Sequence, residues 1–249
     1  MRHRALFGPL LSLFATAILS LAVHADDADL DRAYRQAVMD AAFPSTAAVS
    51  PALVAIQRGN PDLIWNADGS KVLVVTWKSQ GSYEKFLKPA TATPGNPDYA
   101  VWVTAAPQVK RFCSGVAKGG AEKDKLDLRL KQYLGLDRTW NYDLFVELWV
   151  DPADLFRPCV DPETSDSVCN LQFSGTPPTV KNIPNYRDFY SALYFKSFRA
   201  SAGVPWSGLG YTYDWGSPNR VGASEFILAP GSRYEVKAAT PTTAYCAGN

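Results

Sequence analysis

Three acidic residues lie where acids are uncommon. Glu147 sits in DLFVELWV, Asp214 in LGYTYDW and Glu225 in ASEFIL, each among apolar or aromatic residues. An acid inside such a run either points to a solvated face or belongs to a site. Two carboxylates in unequal environments, one protonated and one ionised, suffice to hydrolyse a glycosidic bond. Asp214 with Glu225, and Glu147 with Glu225, are therefore the candidate catalytic pairs. Seven tryptophans, at 65, 77, 102, 140, 149, 206 and 215, could supply stacking platforms for a sugar.

The histidines narrow the chemistry. Only His3 and His24 occur, both close to the N-terminus. The rest of the chain cannot build a Ser-His-Asp or Cys-His system, or a histidine-bearing zinc site. Acid–base work would fall to Asp, Glu, Lys, Tyr or Cys. Arg157 and Arg129 are candidate binding residues, because a guanidinium can hold a carboxylate or phosphate with two parallel bonds. Either arginine could equally lock Asp214 or Glu147 in a structural pair. Tyr211 and Trp215 join the binding candidates, on the aromatic face of the run from Leu209 to Trp215.

Four cysteines, at 113, 159, 169 and 246, make an even set. In an exported chain this predicts two disulfides, with Cys159–Cys169 and Cys113–Cys246 the favoured pairing of three. No close CxxC pair suggests a metal site, and no cofactor motif is present. Export itself is read from the start: Met-Arg-His-Arg, an apolar run from Ala5 to Val23, then Val23-His24-Ala25 before Asp26-Asp27. This describes a signal peptide over 1–25, with residues 26–249 as one mature domain. No later stretch approaches membrane-spanning length. Lys and Arg total 25 against 24 acidic residues, so the balance points to neither nucleic acid nor an anionic membrane. The partner would be an unknown protein or glycan.

The elements that must position these residues follow from periodicity. Leu30, Tyr34, Ala37, Val38 and Ala41 predict a helix from Asp27 or Asp29 to Ala42, stopped by Pro44. A short helix is predicted over 51–57. Strands at 63–65 and 72–77 flank an Asp-Gly turn, a hairpin signal. Residues 79–98 read as a long exposed loop, and 99–104 as a strand. Pro107 opens a short helix through Cys113, and 115–120 read as a break. Residues 125–136 predict a helix with Gly135 at its C-terminal end, followed by a buried strand at 143–150. Residues 151–184 are too polar and proline-rich for a regular element. Residues 186–199 form an aromatic amphipathic helix. Strands at 209–215, 224–228 and 233–238 follow, the last two as a hairpin around Pro230-Gly231.

Two resemblances bear on function. The run from Ser224 to Val236 resembles the late catalytic strand of ADP-ribosyltransferase toxins, which implies that Glu225 orients a nicotinamide ribose. Ala223 stands where many of those enzymes carry a second Glu or Gln. More broadly, the chain resembles a poorly characterised group of secreted bacterial proteins with no assigned activity. Trp102-Val103-Thr104, the run from Asp154 to Cys159, the run from Leu209 to Gly216, Ser224-Glu225-Phe226 and Tyr245-Cys246 carry that likeness.

Together these readings predict an α+β fold: a single domain with a mostly antiparallel sheet, helices covering one face, and two disulfides. The expected function is an exported soluble binding or interaction protein. A glycan-acting hydrolase is the alternative, and an ADP-ribosyltransferase-like enzyme a further one.

Overall fold

The computed structural model describes residues 27–199 and 203–247. The predicted signal peptide and its cleavage point lie outside these residues. The chain folds as helices around a mostly antiparallel sheet. In chain order the strands are β1 (Val72–Lys78), β2 (Val101–Ala105), β3 (Leu144–Val150), β4 (Leu155–Phe156), β5 (Tyr211–Tyr213), β6 (Val221–Leu228) and β7 (Tyr234–Pro241). They line up as β4-β6-β2-β1-β3-β7, with β5 sharing the outer edge of β6 with β4. Every ladder pair is antiparallel.

The helices are α1 (Asp27–Ala42), α2 (Gln80–Ser82), α3 (Ala106–Lys118), α4 (Lys123–Tyr133), α5 (Tyr186–Arg199) and α6 (Thr242–Ala247). Strand alternation divides the sheet's side chains between two faces. Val72, Val74, Val103, Val146 and Phe226 form one core with Leu63 and Leu87, beneath connecting segments rather than long helices. The opposite face carries Leu73, Val75, Trp77 and Phe145, covered by Val109 and Cys113 of α3 and Leu130 of α4. On that same face Ile227 and Phe156 pack against Tyr186 of α5 in a separate cluster. Two cores thus share one sheet face, and a seam runs between them.

Disulfides Cys113–Cys246 and Cys159–Cys169 form as the pairing predicts. The first fastens α6 to α3. Among the described residues, no helix is long and apolar enough to cross a membrane.

Several local expectations change. Residues 51–57 form no helix; Leu53 and Ile56 instead donate backbone hydrogen bonds to the carbonyls of Ser167 and Thr164. The arm at 63–65 makes only a bridge, Trp65 to Val72, so the Asp-Gly turn closes a short hairpin. The stretch at 79–98 contains α2, a π-helical turn over Tyr83–Leu87 and a 3-10 turn over Pro97–Tyr99. Helix α3 runs through Gly115 to Lys118, because no φ above zero interrupts it until Gly120. The largest change concerns β6 and β7. They do not pair as a hairpin: β6 bonds β2, and β7 crosses to the far edge beside β3.

Candidate functional site

The seam between the two cores opens into a cleft of about 420 Å³. Its floor is the helix-side face of the sheet, where Trp77, Trp102, Thr104 and Glu225 project. One wall is α5, through Phe189, Leu193 and Lys196. The other is the end of α4 with the segment 204–206. Gly135 makes that wall possible. Its φ is +67°, and a Cβ there would lie 3.3 Å from the backbone N and O of Tyr213. Only glycine both ends α4 and lets the chain press against β5. Trp140, 38% exposed, and the Lys196–Asp98 pair at 2.6 Å mark the rim.

Glu225 is the acid of the floor. It pairs across the ladder with Thr104. Among the described residues, no hydrogen bond or ion pair reaches its carboxylate. Burial among apolar walls pushes its pKa up from 4.5 to about 8. At neutral pH the group is therefore mostly a carboxylic acid. Neighbouring hydroxyls are committed elsewhere. Thr212 donates to the Tyr133 carbonyl at 2.7 Å and accepts from the Ala223 amide at 2.8 Å. Lys78 also lines the cleft, and burial pulls its pKa down.

The other predicted site residues lie away from this cleft. Asp214 follows β5, 2% exposed, and is held by both nitrogens of Arg129 at 2.8 and 2.7 Å. It also accepts from the Gly216 amide at 3.0 Å. Glu147 meets Lys237 at 3.3 Å, where the β3–β7 register shifts and Lys237 is the extra residue. The register sets Glu225, Thr104, Val75 and Glu147 in one row across four strands. Three strand spacings put Glu147 about 14 Å from Glu225. The structure thus brings neither acid to Glu225.

Arg157 pairs with neither Asp214 nor Glu147. It is fully buried and bonds Asp166 at 2.7 Å and the carbonyls of Glu163 and Val54 at 3.1 Å. The guanidinium pins the disulfide-closed loop to the N-terminal connector. Tyr211 donates its hydroxyl to the Ala48 carbonyl at 2.8 Å, and Trp215 its indole N–H to the Leu136 carbonyl at 3.1 Å. Both are packed rather than open. The residues around Cys159, Asp161 and Cys169 offer no metal centre, because the two sulfurs are bonded to each other.

Four of the seven tryptophans, Trp77, Trp102, Trp140 and Trp206, line the cleft. The α5 wall was not legible as a site: Phe189 and Leu193 carry the same spacing as any core-facing stripe. No family model matches this chain, and no curated protein or solved structure is significantly similar to it.

Proposed function

We propose that the protein is an exported binding protein that holds a small, largely apolar ligand in this cleft. The observation that carries the reading is the cleft itself: about 420 Å³, walled mainly by aromatic and aliphatic side chains, with a carboxyl on its floor that has no hydrogen-bond or ion-pair partner among the described residues. That volume and that balance of many apolar groups to few polar ones are usual for small-molecule sites. The two disulfides and the apolar stretch over 5–23 support an oxidising destination, in a periplasm or outside the cell.

A hydrolase would need a second acid about 5 to 9 Å from the first. Asp214 is closed off by Arg129, Glu147 stands about three strand spacings away, and Asp98 is tied to Lys196 at the rim. β6 and β7 do not pair with each other, so the returning strand of the run that resembles an ADP-ribosyltransferase does not lie beside Glu225. Binding without bond cleavage asks less of the site and uses all of it.

Titration with the neutral fluorescent probe N-phenyl-1-naphthylamine tests the reading. Saturable one-to-one enhancement is expected, and Leu193→Trp, which fills the cleft from α5, should abolish it. A linear, unsaturable response in the parent protein would overturn the proposal.

A further inference from the structure

We infer that the cleft is built for an organic cation: an ammonium whose charge meets Glu225 while its apolar body lies against Trp102, Phe189 and Trp206. The inference rests on the binding reading above and names the class of ligand.

The withdrawn acids of this fold differ in what answers their charge. Asp214 has Arg129, Asp154 has Lys181 and Glu147 has Lys237. Each of these three withdrawn carboxylates carries its own counter-charge, as burial demands. Glu225 is withdrawn into the seam, and among the described residues no cation answers it. The lysine at the rim, Lys196, is already taken by Asp98. The hydroxyl of Thr104, beside Glu225 in the ladder, is directed to the Val75 carbonyl at 3.5 Å. The hydrogen-bonding capacity of Glu225 is therefore open toward the space that a ligand would fill.

The surroundings suit a cation. Indole and phenyl faces attract an ammonium through their quadrupoles, most strongly where water is excluded. A hydroxyl ligand would satisfy one hydrogen bond of Glu225 but leave those faces without a charge to act on. An ammonium uses both features at once. On binding, the Glu225 carboxyl loses its proton to water and the carboxylate so formed pairs with the ammonium. Affinity should therefore fall about tenfold per pH unit below about 8 and level off above it. The other titratable groups lining the cleft are Lys78, Asp98, Lys196, Tyr142 and Tyr213. Burial raises both tyrosines, Tyr142 to about 12, and lowers Lys78. Glu225→Gln leaves Lys78, Asp98, Lys196 and both tyrosines in place, so any pH dependence that survives in that variant belongs to one of these groups and not to Glu225.

Calorimetric titration with tryptamine and with its alcohol analogue tryptophol tests the inference on the whole chain. Tryptamine should bind about tenfold or more tightly at pH 8. It should lose that advantage in Glu225→Gln, while tryptophol affinity stays within about threefold of the parent. Equal affinities in the parent protein overturn the cation assignment and leave the binding reading standing. No binding of tryptamine, tryptophol or the neutral naphthylamine overturns both. An advantage that persists in Glu225→Gln assigns the charge to another residue and also overturns the inference. Near-UV circular dichroism of the variant shows that its fold is intact, and the parent comparison needs no variant at all.

Discussion

Glu147 and Glu225 share one sequence signature, a single acid in an apolar strand, and meet opposite fates. At Glu147 an inserted residue on the neighbouring strand delivers Lys237 to the carboxylate. At Glu225 no cation among the described residues is delivered, and burial holds its proton far above the usual carboxylate range. That proton has a consequence for stability. Unfolded, the carboxyl titrates near 4.5; folded, near 8. Between these values the native state binds the extra proton, so stability declines as pH rises through the window and is constant beyond it. Glu225→Gln removes the penalty. Its unfolding free energy should match the parent near pH 4 and exceed it increasingly up to pH 8, by at most about 1.4 kcal/mol per pH unit. Urea denaturation at pH 4, 6 and 8 measures the gap, and a constant gap would contradict the assigned proton. The sequence pointed to Glu225 through its apolar surroundings. It could not separate it from Glu147, because the separating feature is a register shift between strands 90 residues apart.

At the scale of elements, the joint between α4 and β5 is an ion pair. Arg129 and Asp214 meet with two parallel bonds, and Asp214 has almost no contact with water. Removing one partner strands the other. Arg129→Met should cost about 3–5 kcal/mol in chemical denaturation, whereas Arg129→Met with Asp214→Leu should recover much of the loss. The double-mutant cycle distinguishes a structural pair from two independent residues. Periodicity made most of these elements legible. The boundaries of α1 and α5 follow from apolar spacing and nearby prolines, and β3 from its apolar run. What periodicity cannot report is partnership. Pro230-Gly231 turns the chain as expected, but β7 leaves for β3 because both edges of β6 are already occupied by β2, β4 and β5. The cleft was hidden for the same reason. Its walls come from α4, α5 and the segment at 204–206, and only the tertiary fold sets them across a gap.

For the whole molecule, the two covalent links differ in reach. Cys159–Cys169 spans 10 positions and Cys113–Cys246 spans 133. By chain entropy the long link should contribute about 5 kcal/mol and the short one about 3 kcal/mol. Replacing Cys113 and Cys246 together by serine should therefore lower the denaturation midpoint further than replacing Cys159 and Cys169. Equal shifts, or the reverse order, would show that Arg157 and its loop matter more than loop length. Cysteine parity and spacing made both links legible from sequence, since a local pair leaves only one distant pair.

The position of β7 and α6 makes the last segment of the chain the partner of two earlier ones. One edge of β3 finds its partner only in β7 and Cys113 finds its partner only in α6, so neither is matched until the C-terminal segment is in place. During that interval the two thiols able to capture Cys113 wrongly are those of Cys159 and Cys169. Their own bond closes a short loop, so it can form early and take both out of circulation. Once the small staple has closed, Cys246 is the single thiol left for Cys113 to meet.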